Sequence, residues 1–431
     1  MGYNFIARVE GEGKVHIYIK DGKVSQVDIE ISEAPRFFEY IVRGKKINYI
    51  PDIVSRICGL CGSSYVLVAT KAFEKCLDID VPEEIDELRK IIHLAERVKS
   101  HALHIFLLNL PDFLETHNTF EFRLANKDMF KDIMRFVTYS SNIMDLLGGR
   151  FHNVVNIKIG GIYKAFNEGE AAKILKFVEE SIKLFKPLAD FVLSLKPIPN
   201  DGLNRPHLLL SYENEYPHLS DEIVFSSLTD EERINIKDFE HIVHSEQKKG
   251  KNALLYRYKG SSYLVGPIAR FNKAFSKLHG EVRDMLKSYD WLPPLRDVRQ
   301  QIVARIAEMY DALLTMKEFF ERYKKPDVTS VEKEFKLDVN KTTCVAAIEA
   351  PRGILYHRYA IDNQLKILEC NIITPTAQNL ASMEELSLEF LGKRFGDVVV
   401  NEAMARRFVE MIVRSFDPCI SCSVHVYTLR Y

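Results

Sequence analysis

The sequence predicts a mainly α fold with small β hairpins, an α+β architecture, on three observations. Long stretches repeat apolar residues at helical spacing, and two short stretches, one near each end, alternate in strand fashion around turn residues. Hydrophobic residues make up 46% of the 431 positions against 28% charged, enough apolar material for a large buried core. No segment has the composition of a linker, so the expectation is a single domain over 1–431 with a minor lobe or insertion at about 196–265.

The elements follow in order. Residues 4–30 form a hairpin: Val15, Ile17 and Ile19 share one face, Asp21-Gly22-Lys23 turns the chain, and Val24, Val27 and Ile29 return it. A short helix follows Pro35 and ends near Gly44. Val66, Ala69, Ala72, Phe73 and Cys76 then recur at helical spacing, which puts Cys58 and Cys61 in an N-terminal turn where the helix dipole favours thiolate. Pro82-Glu83-Glu84 opens a second long helix with an apolar stripe from Leu88 to Phe106, ending at Pro111. Helices are expected at 127–147 and 169–195, separated by an irregular turn at 152–161, and helical periodicity resumes over 267–324. Residues 342–368 read as a second hairpin interrupted by Pro351-Arg352-Gly353, and a last amphipathic helix spans about 397–415.

Charge and composition exclude several classes. Lys and Arg total 59 against 60 Asp and Glu, so no net field attracts nucleic acid or an anionic membrane. The first residues lack a secretory pattern and no stretch is long and apolar enough to span a bilayer, so a cytoplasmic protein is expected. In that setting seven cysteines point to reduced thiols used as ligands rather than to a disulfide framework.

Four of those thiols lie in two pairs, Arg56-Ile57-Cys58-Gly59-Leu60-Cys61 and Asp417-Pro418-Cys419-Ile420-Ser421-Cys422-Ser423-Val424-His425. A Cys-x-x-Cys spacing lets one tight turn aim two sulfurs at a single ion, and two such turns complete a soft shell for Zn, Fe, Ni or Cu. Structural zinc is the default for such pairs. Zinc staples, however, hold their pairs close in sequence to support a small fold, and a chain with this much core needs no staple. Cys76, Cys344 and Cys370 read as buried small hydrophobes, and His101 and His104, on the apolar second helix, as satisfied core histidines.

The two cysteine signatures resemble those of the large subunit of nickel-iron hydrogenases. Further blocks are similar to that family in its own order: Arg8-Val9-Glu10-Gly11, Arg36-Phe37-Phe38-Glu39, Ser100-His101-Ala102-Leu103-His104, Glu349-Ala350-Pro351-Arg352-Gly353 and Ile373-Thr374-Pro375-Thr376. The compact length and the closing block look like the soluble, multisubunit group with archaeal NADP-linked hydrogenases, or sulfhydrogenases. The resemblance implies the long-helix bundle of that large subunit.

It also implies roles. Cys58 and Cys419 would be terminal ligands of nickel, while Cys61 and Cys422 would bridge it to an iron carrying carbon monoxide and two cyanides. Arg352, Pro375 and Thr376 would face the cyanides, with Asp112 and Asp417 orienting the arginine. Glu10 would relay the proton that heterolytic splitting of dihydrogen delivers to Cys419, a task suited to a carboxyl whose pKa burial raises. Glu39, the carbonyl of Ile372 and His425 would hold a separate Mg or Fe ion. Tyr65 stands where the family usually has a histidine that donates to a bridging sulfur, which implies altered redox tuning. Residues 426–431 match a tail that many members lose after nickel loading.

Electrons must leave such a centre. The chain has no spare cysteine cluster and no Gly-x-Gly-x-x-Gly, so an iron-sulfur small subunit, with further iron-sulfur and flavin or NAD(P)-binding subunits, would carry them to NAD(P), sulfur or polysulfide. Two other readings stand beside this one. A complex I-type relative without hydrogenase activity would not need all four cysteines, and a zinc-binding scaffold would need nothing more. Taken alone, Glu10, Glu39 and Arg352 read as surface, capping or turn residues.

Overall fold

The computed structural model describes residues 5–114, 116, 119–195, 205–227, 230–248, 252–326, 342–396 and 401–424. The chain opens with an antiparallel hairpin, β1 (Gly13–Lys20) and β2 (Lys23–Ile31), in the register Gly13↔Ile31 to Lys20↔Lys23. Alternation places Val15, Val27, Ile29 and Ile31 inward. Two short helices, α1 (Phe38–Ile41) and α2 (Ile50–Ser55), lead to the first cysteine turn and to α3 (Gly62–Cys76), for which Cys61 is the N-cap residue.

The second long helix, α4 (Glu83–Leu103), loosens into a π-helical stretch over His104–Asn109 and continues as α5 (Leu110–Phe113). Pro111 therefore begins a new turn instead of ending the helix, because a proline is tolerated in a first turn where its missing N–H has no partner to lose. Next come α6 (Thr119–Ala125), α7 (Lys127–Gly148), the small ladder of β3 (Ile157–Lys158) with β4 (Gly161–Ile162), and α8 (Glu168–Ser194). A capping box between Asn167 and Glu170 starts α8.

Residues 205–258 hold a three-stranded sheet of β5 (His207–Leu210), β6 (Glu222–Ser226) and β7 (Glu231–Asn235), the turn α9 (Phe239–Ile242), and the pair β8 (Val243–Glu246) and β9 (Leu255–Tyr258). The helices α10 (Pro267–Ala274), α11 (Gly280–Ser288) and α12 (Gln301–Glu321) follow. The bundle is made by α4, α7, α8 and α12, each packed on two of the others.

The expected hairpin at 342–368 is a three-stranded antiparallel sheet, β10 (Thr342–Ala350), β11 (Gly353–Ile361) and β12 (Ile367–Ile373), with Pro351-Arg352 at its first turn. Two helices close the chain, α13 (Pro375–Phe395) and α14 (Glu402–Ser415), the second beginning somewhat later than its periodicity suggests. Sequence periodicity misses α13 because it is buried on nearly every side, between β2, β9 and α14, and so lacks a polar stripe. Among the described residues no helix is long and apolar enough to cross a membrane.

One expectation about the cysteines is corrected. Cys76 and Cys344 are joined by a disulfide that ties the end of α3 to the start of β10. The two residues are 268 apart in sequence, so no spacing rule could pair them.

Candidate metal centre

The two cysteine turns meet. The first connects α2 to α3, the second follows α14, and Cys58, Cys61, Cys419 and Cys422 are 1, 6, 1 and 2% exposed. The Cys61 Sγ lies 2.7 Å from that of Cys58, and the Cys58 Sγ lies 3.5 Å from that of Cys419. The sulfurs of Cys58, Cys419 and Cys422 all fall within 4.8 Å of one another. Cys419 and Cys422 are bonded to each other as a disulfide here, which also departs from the expected reduced thiols; as ligands both would be reduced.

Arg36 draws the turns together, its Nη2 donating to the carbonyls of Ile57 and Ser421, one from each turn. Burial pushes the Cys58 thiol up, but the hydrogen bond from Cys61 and the charge of Arg352 bring it below its ordinary value. Cys61, donating that bond and buried, is pushed well up.

Arg352 is 3% exposed at the β10–β11 turn. Its Nε donates to the Asp417 carbonyl at 2.6 Å, its Nη2 to Asp417 Oδ1 at 2.9 Å and its Nη1 to the Ser100 hydroxyl at 3.3 Å. Burial would lower its pKa, but Asp417 and the Cys61 and Cys58 sulfurs hold it above its usual value, so its charge is fixed. Backbone packing sets its position. A Cβ on Gly266, at φ +105°, would stand 2.5 Å from the Arg352 carbonyl oxygen, so only glycine permits this approach.

Asp112 does not reach Arg352, which corrects the expected pairing. Its carboxylate takes Arg8 Nη2 at 2.5 Å and Arg414 Nε and Nη2 at 2.7 and 2.9 Å, tying the chain start to the end of α14. Arg352 therefore has one carboxylate partner, and Ser100 on α4 occupies its other side. The block Ser100-His101 was the signal for that contact.

Thr376, in the first turn of α13 directly after Pro375, accepts the Cys419 N–H at 3.0 Å. Glu10 lies beside the second turn, where its carbonyl accepts the Ile420 N–H at 2.9 Å. Its carboxylate is half-buried and is bound by Ser421, through the hydroxyl at 2.7 Å and the N–H at 3.2 Å, not by the Cys419 sulfur. Gly11 makes room for this contact: a Cβ there, at φ +82°, would stand 2.8 Å from Ile420 Cβ and 2.9 Å from the Ser421 nitrogen.

Three buried polar atoms on residues flanking the turns have no hydrogen-bond partner among the described residues, the Tyr65 and Ser63 hydroxyls and Asp417 Oδ2. Orphaned groups of this kind in a dry interior are costly unless something else meets them. Four sulfurs, a fixed positive charge and spare polar atoms fit a soft metal pair carrying polar ligands. The Tyr65 ring is 5.5 Å from that of His357, and burial, then Cys61, pushes its phenol well above its usual range.

Glu39 and Ile372 also meet, but through the Ile372 N–H, which donates to Glu39 Oε1 at 2.6 Å. Burial pushes the Glu39 carboxyl up to about 8, and no salt bridge to a described basic residue relieves it. It lines a cavity of about 1200 Å³ with Arg36, Arg43, Glu240, Arg358 and Cys370. A buried carboxyl with no ion pair among the described residues, and only the more distant charges of Arg358 and Arg43, fits a hard cation. His425 lies outside the described residues, as do 426–431.

Comparison with known proteins shows the family. The family model for nickel-dependent hydrogenase matches residues 36–164 and 230–425, a span that takes in both cysteine turns. The chain belongs to the nickel-dependent hydrogenase family. It is 32% identical to sulfhydrogenase 2 subunit alpha of Pyrococcus furiosus over 424 residues, covering 98% of each chain. It is 30% identical to sulfhydrogenase 1 subunit alpha of the same organism, covering 98% of this chain and 97% of that one. Among solved structures, an NAD+-reducing [NiFe]-hydrogenase in the H2-reduced state superposes with a TM-score of 0.81 at 22% identity over 98% of each chain. A Desulfomicrobium baculatum [NiFeSe]-hydrogenase gives 0.78 at 19% identity, over 97% of this chain and 98% of that one, so the fold is that of nickel-iron hydrogenase large subunits. As a nickel-dependent hydrogenase this catalytic chain is an oxidoreductase that acts on dihydrogen.

Proposed function

We propose that the four cysteines hold a nickel and an iron bearing carbon monoxide and two cyanides, with Cys58 and Cys419 terminal on nickel and Cys61 and Cys422 bridging. The observation that carries this reading is the convergence of four buried sulfurs from opposite ends of the chain beside the fixed charge of Arg352. When bound, the metal pair supplies the electron-accepting chemistry for heterolytic splitting of dihydrogen. The chain's own groups manage the proton. Cys419 receives it and Glu10 takes it on, with the Ser421 hydroxyl set between Glu10 at 2.7 Å and Glu33 at 3.0 Å toward the surface. Arg352 offers donors to the iron's anionic ligands, Pro375 and Thr376, whose hydroxyl meets the Cys419 N–H, face the cyanides with it, and the Tyr65 hydroxyl offers another donor.

Glu39 and the Ile372 carbonyl, with His425, take Mg or Fe at the second site. The chain reads as one domain, its main apolar cluster running from Ile6 through Cys58 to Cys422, with a second cluster under the minor lobe at about 196–265. The relatives are named as alpha subunits, which supports further subunits here: an iron-sulfur small subunit, and iron-sulfur and flavin or NAD(P)-binding subunits that pass electrons to NAD(P), sulfur or polysulfide in the cytoplasm.

Elemental analysis and infrared spectroscopy of the purified complex test the assignment. Nickel and iron are expected with metal-bound carbon monoxide and cyanide bands, and Cys419→Ser is expected to lose nickel and hydrogen uptake together. Zinc alone, or hydrogen uptake unchanged by Cys419→Ser, rules it out.

A further inference from the structure

Behind the first cysteine turn, a buried chain of polar groups leads away from the metal centre without helping to hold it. Glu96, on α4, caps α3: its Oε2 accepts the Ser63 N–H at 2.6 Å and its Oε1 the Ser64 N–H at 3.1 Å. The Ser64 hydroxyl lies 2.5 Å from the same Oε1 and 3.1 Å from His93 Nε2. His93 Nδ1 in turn lies 3.0 Å from His218 Nδ1. Glu96, Ser64 and His93 are 2, 0 and 0% exposed, whereas His218 is 8% exposed.

Helix capping explains Glu96 but not the histidines. Two Nδ1 atoms that face each other bond only if one carries a proton and the other does not. Burial pushes both imidazoles well below their usual range, helped by each other and Arg97 at His93 and by Arg97, Lys90 and Lys71 at His218, so both rings are neutral. Burial pushes the Glu96 carboxyl up. The chain therefore has two fully bonded arrangements. With Glu96 protonated, its O–H donates to Ser64, Ser64 to His93 Nε2, and His93 Nδ1–H to His218. With Glu96 ionised every donor reverses.

We propose that Glu96, Ser64, His93 and His218 form a second proton route between the surroundings of Cys61 and solvent, separate from Glu10 and Ser421. Each hop breaks one O–H or N–H bond and forms the next: Glu96 to Ser64, Ser64 to His93 Nε2, His93 Nδ1 to His218 Nδ1. His218, briefly protonated on both nitrogens, releases the Nε2 proton to water, and no electron moves. Both rings must then exchange tautomers before the next proton, so the route carries one proton per reset. At the inner end, the amides that Glu96 binds, those of Ser63 and Ser64, are two and three residues past Cys61. All four groups act through the proton path, not by touching the reacting atoms.

Two measurements test the route. In the metal-free chain, 15N spectra of the histidines are expected to show His93 and His218 as neutral rings of opposite tautomer sharing a hydrogen bond; identical tautomers overturn the proposal. In the complete complex, Glu96→Gln keeps only one of the two cap bonds, because its single carbonyl accepts one amide proton while its NH2 faces the other, and it cannot pass a proton. In a Glu10→Gln background with nickel content unchanged, Glu96→Gln is expected to slow exchange between D2 and water about tenfold. His218→Asn, at the solvent end, is expected to do the same and decides the matter if Glu96→Gln does not fold. Exchange that neither substitution alters, as a purely structural cap predicts, overturns the proposal.

Discussion

Arg352 grips Asp417 at two points, backbone carbonyl at 2.6 Å and carboxylate at 2.9 Å, with both residues 3% exposed. A lysine cannot reproduce this fork. Arg352→Lys is expected to lower hydrogen uptake by roughly 10- to 100-fold with nickel retained. Near-native uptake per nickel would show that the guanidinium geometry is dispensable.

Asp112 ties Arg8 to Arg414 and is remote from Arg352's hydrogen bonds, so its removal should act on stability alone. Asp112→Ala takes from the Arg414 side chain, 2% exposed, one of its two carboxylate partners, leaving Glu410 at 3.2 Å, and is expected to cost about 1–3 kcal/mol. Denaturant unfolding measures the loss, while uptake per nickel stays native.

The disulfide between Cys76 and Cys344 closes a very long loop. Cys344→Ala is expected to lower stability by about 2–5 kcal/mol relative to the oxidised protein. Thiol counting in denaturant without reductant checks the bond directly, and free thiols at both positions would refute it.

The Tyr65 hydroxyl is buried without a partner among the described residues. Removing an unsatisfied group costs nothing, so Tyr65→Phe is expected to leave the metal-free chain equally stable or more stable, by up to about 1–3 kcal/mol. In the loaded complex the same change should shift the infrared bands. Unshifted bands would mean that the phenol donates to nothing at the centre.

Buried histidines set the acid limit. Burial pushes His101 down to about 3 and His104 well below its usual range, so the folded state keeps both neutral where the unfolded chain binds protons. With folded pKa values depressed, their contribution is complete above about pH 6.5 and shrinks as pH falls below it, by roughly 1.4 kcal/mol per pH unit for each. Unfolding at pH 7 and 5.5 measures the slope, which His104→Gln should reduce by one histidine's share.

What the sequence by itself determined was local or linear. Alternation about Asp21-Gly22 determined the first hairpin, helical spacing determined α3, α4, α7 and α8, and two Cys-x-x-Cys turns singled out the four sulfurs that come together. These signals survive because a half-buried element must show its period and a chelating turn must show its spacing. The tertiary structure decided everything that depends on surroundings. It hid α13 by burying it on nearly all sides, and added β12 as a third strand. It gave Asp112 to Arg8 and Arg414, set Ser100 beside Arg352, and joined Cys76 to Cys344. It also aligned Glu96, Ser64, His93 and His218. Such pairings join residues 100 to more than 300 positions apart, or groups whose meaning lies in a proton's direction, and no local period encodes either.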